Sequence, residues 1–327
     1  MISEGQICLY YREEPEKDRF FKGDRFIRPM VRKLIRKKGI SGIKKVFVNL
    51  CKGFDLLHVN YIVNKPFSKL KPQDKVVILG RGRYALEGYH QTNPIIAGIS
   101  LMTHPSEWPD LCTQYPIAKY LQHSEWANNV YIPYYGGKIC ETWPTGIDTE
   151  KWKPVATKKN IDFLIYNKIY WEVDHSTKTL VNPILNYLSS NGYSFVEIKY
   201  GHYTNKDYHH LLTRCKAMIF LAGHESQGIA CCEAMSMDVP ILAWDIKLCM
   251  DPERFKWGQP VIPATSVPFF DHTCGDRFKD IETFKGIFDL FQSNVLSGYY
   301  KPRDYILENL TLKKSAERML EIIKSVY

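Results

Sequence analysis

Along the chain, short apolar runs alternate with stretches whose apolar residues recur every three or four positions. Runs of four to eight apolar residues read as strands buried on both faces. The intervening period of 3.6 reads as covering helices, so the pattern predicts parallel sheets flanked by helices. In the first half the expected strands cover residues 7–11, 56–61, 76–79, 96–102 and 120–123. A helix is expected to open at Ser124, a good N-cap residue, with Glu125 in its first turn. In the second half, strands are expected over 162–166, 195–200, 217–221 and 240–244, and helices over 180–188, 208–215 and 228–237. The tail, residues 311–327, predicts an amphipathic helix with Ala316, Met319, Leu320 and Ile323 on one face.

The Pro144-Thr145-Gly146-Ile147-Asp148 turn, followed by a polar stretch to Asn160, marks a domain boundary. The 327 residues suit two domains. The expected division is an α/β domain over 1–148, a second over 149–310, and a closing helix over 311–327. Ligands of such sheets bind beyond the carboxyl ends of the strands.

Composition changes this picture in two places. Apolar residues make up 45% and charged residues 24%, as in an ordinary globular protein. The nine cysteines are odd in number and form no Cys-x-x-Cys, so neither a disulfide framework nor a zinc site follows. Reduced thiols in a cytoplasmic protein are the simpler expectation. No run approaches the roughly 18 apolar residues of a membrane span, and the first residues lack a signal pattern. The net charge of +9 fits anionic partners. Ile27, Met30, Val31, Leu34 and Ile35 repeat at helical spacing, with Arg28, Arg32, Lys33, Arg36, Lys37 and Lys38 on the other faces. This basic helix over 25–38 is either a solvated face or a patch that rests on an anionic membrane, which would place the protein at the inner face of one.

The chemistry concentrates in His224-Glu225-Ser226-Gln227-Gly228, which follows an apolar strand, and in the helix after it. A helix N-terminus offers unpaired N–H groups and partial positive charge to a diphosphate. Gly228 lets a ligand approach the backbone. Glu225 and Glu233, eight residues apart, bracket that anion site with carboxylates that accept hydrogen bonds from hydroxyls.

This segment resembles the Glu-x(7)-Glu motif of the retaining, GT-B-fold glycosyltransferases of family 4, and residues 234–241 resemble that family's continuation, with Asp238 where Gly is usual. Other pieces occur in family order: Thr103-His104, Ser124-Glu125-Trp126, the segment from Trp143 to Asp148 with Trp152 and Pro154 beyond, Gly201, and the closing helix. The resemblance runs from about residue 96 to the C-terminus. It implies a GT-B fold of two Rossmann-like domains facing a cleft, the last helix crossing back onto the first domain. It also implies transfer of a sugar from a nucleotide donor such as a UDP- or GDP-sugar to a glycan, lipid-linked or protein acceptor, with retention. Glu233 would bind the ribose hydroxyls and Glu225 the donor sugar. The backbone around Gln227-Gly228, with Ser226 beside it, would hold the distal phosphate, and Gly201 would lie by the base. His104 would face the sugar from the first domain. Of the Arg and Lys that the family uses, Lys168 stands near the first place, and Lys178 is a candidate for the second at longer spacing than usual.

No Asp-x-Asp occurs, so a metal-dependent alternative has no support and no cofactor or metal is expected. Each named residue also has a plainer reading: Glu225 as a helix-end carboxylate, His104 as a turn histidine, Lys168 as a surface lysine. Gly80-Arg81-Gly82-Arg83-Tyr84-Ala85 fits the dinucleotide pattern Gly-x-Gly-x-x-Gly/Ala. The acidic residue that should end the next strand is absent, and Thr103-His104 stands there instead. Two rival functions stay open: a nucleic-acid-directed glucosyltransferase, which the charge suits but no nucleic-acid motif supports, and a non-catalytic nucleotide or sugar binder on a decayed GT-B fold.

Overall fold

The structure is a computed structural model and describes residues 5–14, 41–256, 258 and 261–327. The basic helix expected over 25–38 lies outside these residues. The chain forms two compact units, one of residues 1–122, 128–143 and 316–327, the other of residues 123–127 and 144–315.

The first unit is built on a six-stranded sheet: β1 (Ile7–Arg12), β2 (Tyr61–Val63), β3 (Lys75–Arg81), β4 (Ile95–Ser100), β5 (Ile117–Gln122) and β6 (Cys140–Thr142). Its order is β2-β1-β3-β4-β5-β6 and every pairing is parallel. Val76, Val77, Ile78 and Leu79 are all buried, as a strand covered on both faces requires. Helix α1 (Gly42–Leu56) corrects one expectation, because Leu56 ends this helix and the strand that follows is only Tyr61–Val63. Val46, Phe47, Leu50 and Phe54 share its buried face at helical spacing, and the Ser41 hydroxyl accepts from Lys44 N at 3.3 Å as the cap. Helix α2 (Glu125–Tyr135) opens where expected. Ser124, however, is buried and its hydroxyl has no hydrogen-bond partner among the described residues, so it is not a side-chain cap.

The second unit repeats the plan. Its strands are β7 (Ile161–Lys168), β8 (Phe195–Lys199), β9 (Cys215–Ala222), β10 (Ile241–Trp244) and β11 (Gly275–Phe278), in the all-parallel order β11-β10-β9-β7-β8. Its longer helices are α3 (Asn182–Ser190), α4 (Asn205–Arg214), α5 (Ile229–Ser236), α6 (Ile281–Ser297) and α7 (Pro302–Asn309). Strand β11 has the sequence Gly-Asp-Arg-Phe, too polar to register as an apolar run, and sits at the sheet edge. The last helix, α8 (Leu312–Val326), belongs to the first unit from residue 316 on. Ala316, Met319, Ile322 and Ile323 are buried, Arg318 pairs with Glu141 at 2.6 Å, and Val76 N donates to the Tyr327 hydroxyl at 2.9 Å.

In each sheet the chain leaves its first strand to one side and returns on the other. The order β2-β1-β3 and the order β8-β7-β9 each make a topological switch point, where the loops after the two flanking strands part and leave a crevice. No helix among the described residues is long and apolar enough to cross a membrane.

Candidate functional site

The switch point of the second unit lies between the carboxyl ends of β7 and β9. Lys168 is the last residue of β7, and Gly223-His224-Glu225 follows β9 directly. Lys168 forms an ion pair with Glu225, and the two side chains are 19% and 11% exposed. The Lys168 ammonium also stands 4.6 Å from the centre of the Tyr200 ring. Lys168 is half-buried and points to the carboxylate with which the motif begins.

The Glu225 backbone is held on both sides. Its N–H donates to Thr265 O at 2.9 Å, and its carbonyl accepts from Trp126 Nε1 at 2.9 Å. Thr265 is in turn fixed by Asp245, whose buried carboxylate accepts from Thr265 Oγ1 at 2.7 Å and Ser266 N at 3.2 Å. The loop that carries Glu225 is therefore rigid through a carboxylate that no motif marked.

Gly228 is the N-cap of α5, with φ 67° and ψ 45°. A Cβ there would meet nothing nearer than 3.7 Å, so the left-handed backbone, not crowding, calls for glycine. Glycine has no side chain to cap the helix, which leaves the first-turn N–H groups to an outside acceptor. The Gln227 side chain is already used: Thr145 N donates to its Oε1 at 2.9 Å, and its Nε2 donates to Thr145 O at 3.2 Å. Ser226 is half-buried in the same loop.

Glu233 lies one turn and more into α5 and is buried. Tyr208 and Tyr203 stand near it. Tyr208 donates to Ala230 O at 2.7 Å, and the Tyr166 and Tyr203 hydroxyls meet at 2.7 Å. Burial pushes the Tyr203 phenol up to about 12, with the Glu233 and Glu225 charges adding to the effect, so it is a neutral hydrogen-bonding group at neutral pH. Cys231 and Cys232 are packed into the core.

His224 precedes Glu225 and lies face to face with Trp171, centroids 4.8 Å apart and planes 9° from parallel, while Trp126 meets it edge-on at 5.5 Å. Its Nδ1 accepts from Met250 N at 3.1 Å. Burial, then the Arg254 and Lys168 charges, depress its pKa to about 4, so the imidazole is neutral.

Arg254 is the functional candidate that sequence reasoning missed. It comes from the one-turn helix Pro252–Phe255, its side chain is 13% exposed, and its guanidinium lies 5.7 Å from the Trp126 ring centre. Its Nε and Nη1 are buried with no hydrogen-bond partner among the described residues, and its nearest carboxylate, Asp251, is 4.0 Å away. Buried donors of this kind call for a partner. Arg254 is far from the motif in sequence and only the fold brings it to His224.

The other expected residues fall outside this cluster. Lys178 is exposed in the π-helical turn Thr177–Val181. Gly201 is exposed in the turn after β8. His104 belongs to the first unit, where it is fully buried. Its Nδ1 accepts from Ser106 N at 3.2 Å, and its ring stands edge-on to Tyr134 at 5.3 Å. No cluster of three or more metal-ligating side chains occurs among the described residues.

No protein-family model matches the chain, and no curated protein matches it in sequence. Solved structures do. The lipopolysaccharide outer core galactosyltransferase WaaB is similar over 98% of this chain and 99% of its own, at 12% identity and a TM-score of 0.54. Sucrose-phosphate synthase from Thermosynechococcus elongatus matches over 98% of each chain at 10% identity, TM-score 0.53. The pneumococcal O-GlcNAc transferase GtfA, in complex with UDP and GlcNAc, matches 89% of this chain at 13% identity, TM-score 0.51. The chain spans 62% of the GtfA chain and about half, 52%, of TarM. These neighbours are GT-B glycosyltransferases, and this chain has their fold: two Rossmann-like domains on parallel sheets of six and five strands.

Proposed function

We propose that the protein is a glycosyltransferase that takes a sugar from a nucleotide-sugar donor bound by the second unit. The observation that carries this reading is the Lys168–Glu225 ion pair at a switch point, directly before the glycine-capped α5. A nucleotide sugar needs cations for its diphosphate beside a carboxylate for the sugar hydroxyls, and the pair sets one against the other.

In this reading the α5 N-terminus, with the Ser226-Gln227-Gly228 backbone, takes the distal phosphate, and Lys168 and Arg254 add positive charge. Glu225 accepts from the donor sugar's hydroxyls and Glu233 from the ribose, with the Tyr203 phenol beside it. Gly201 lines the base, and Lys178 is the outermost candidate for a phosphate contact. When the bond between the anomeric carbon and the phosphate oxygen breaks, its electron pair goes to the diphosphate. Lys168, Arg254 and the α5 amides stabilise that charge, each such donor contributing about 3 kcal/mol. The acceptor hydroxyl adds to the anomeric carbon and its proton passes to the leaving phosphate oxygen. Attack on the same face gives the retention that the family resemblance implies. GtfA, a neighbour in fold, binds UDP and GlcNAc, and a UDP-sugar is the first donor to try.

The test is calorimetry of the whole chain with UDP-, GDP-, ADP- and CMP-sugars, using Glu233→Ala and Arg254→Ala as controls. One nucleotide class should bind. A ligand at 100 times its dissociation constant should stabilise the fold by about 2.7 kcal/mol, and the Glu233→Ala protein should lose that response. If no class binds to folded protein, the reading fails. The role that resemblance implies for His104 is tested by turnover of His104→Ala with the donor so identified.

A further inference from the structure

Lys168 and Glu225 form one ion pair, and among the described residues neither forms another. Both backbones are fixed. Lys168 closes β7, in register with Ala222 of β9. Glu225 donates its N–H to Thr265 O at 2.9 Å, and its carbonyl accepts from Trp126 Nε1 at 2.9 Å. What can move is the four-carbon lysine stem, which sets its ammonium 4.6 Å from the Tyr200 ring centre. Three residues beyond Glu225, Gly228 begins α5 without a side-chain cap. The ammonium thus already has an anion, and a diphosphate at the start of α5 would be a second claimant for it.

We infer that the Lys168–Glu225 pair makes the site favour an intact nucleotide sugar over the spent nucleoside diphosphate. The inference rests on the transferase reading above and adds what that site selects against. The reason lies in the fate of Glu225. Its side chain is only 11% exposed. A carboxylate so placed is left short of partners when its one cation turns away. An ionised diphosphate cannot replace that cation, because its oxygens accept hydrogen bonds just as the carboxylate does. A sugar on the diphosphate brings hydroxyls that donate to Glu225, so Lys168 can turn to the phosphate without stranding the carboxylate. Specificity is a difference of affinities, and here the difference arises from a contact of the unliganded protein. The same coupling assists product release: once the sugar has left, Glu225 reclaims Lys168 from the diphosphate.

The experiment is calorimetry of the whole chain with matched ligands: UDP and UDP-glucose, UDP-galactose or UDP-N-acetylglucosamine; GDP and GDP-mannose; ADP and ADP-glucose. The proteins are wild type, Glu225→Gln, Lys168→Met and the double variant, each first shown to be folded by circular dichroism. In the class that binds, Glu225→Gln should tighten the free diphosphate by about tenfold and weaken the nucleotide sugar. In the Lys168→Met background, Glu225→Gln should leave diphosphate affinity within about twofold, because no lysine is there to be released. Unchanged diphosphate affinity in Glu225→Gln overturns the inference and leaves the transferase reading standing. An equal gain in the Lys168→Met background also overturns it, since repulsion between carboxylate and phosphate would then account for the gain. Should a variant not fold, the wild type decides. It should bind a nucleotide sugar more tightly than the matching diphosphate, and equal or tighter binding of the diphosphate overturns the inference. If none of these nucleotides binds to folded wild type or Glu225→Gln, the transferase reading fails and this inference with it.

Discussion

Both sheets have the same strand order about their switch points, yet the two crevices carry different chemistry. In the second unit β9 runs into Glu225, which pairs with Lys168, then a left-handed Gly228 that gives the helix α5 no side-chain cap. In the first unit β3 runs into the 3-10 turn Arg83–Leu86. One crevice ends on a helix start and the other on a turn. The topology fixes where a ligand sits, and the few residues after each strand decide what it is.

The largest expected effect separates the two crevices functionally. Lys168→Ala should lower kcat by two to three orders of magnitude, about 3–4 kcal/mol of transition-state stabilisation, measured as turnover with the donor identified above. Turnover within twofold of wild type would remove Lys168 from the chemistry. Acid comes next. His224 binds a proton near the ordinary histidine value when unfolded and only near pH 4 when folded. Its neutral burial therefore supports the native state fully above pH 6.5, and that support falls away as pH drops from 6.5 through 4. The loss should approach about 3 kcal/mol in chemical denaturation, and it should disappear in His224→Asn.

The glycines of the two crevices differ in reason, so their variants should differ in effect. An alanine Cβ at Gly80 would sit 2.4 Å from Arg12 O and 2.9 Å from the Ala85 Cβ. Gly80→Ala should cost about 2–3 kcal/mol of stability by overpacking, seen as a lower urea midpoint. Gly228→Ala meets no such clash and should cost about 1–2 kcal/mol through its left-handed backbone, together with weaker donor binding. Equal losses would contradict the contrast drawn here. The smallest effect is at Asp238, which takes φ 57° just after α5. Asp238→Gly should raise stability by about 0.5 kcal/mol, a small upward shift in Tm.

Much of this was legible in the residues. The runs around Val76 and Met218 announced buried parallel strands because both faces of such a strand must be apolar. The Glu225-to-Glu233 segment stood out because a glycine and two carboxylates flanking a helix start are a local arrangement. Helix α1 was misread near Leu56 because its buried face shares residue types with a strand and only packing separated the two. Strand β11 stayed hidden because an edge strand needs few apolar residues.

The sequence by itself determined the alternation of strand and helix, the place of the glycine-capped helix and the spacing of its carboxylates, since these depend on neighbours a few positions apart. Only the tertiary structure decided that Lys168 pairs with Glu225, that Asp245 steadies the loop through Thr265, and that Arg254 arrives at His224. Those meetings join segments tens of residues apart. They are set by the order in which strands enter a sheet, and no local pattern of residue types encodes that order.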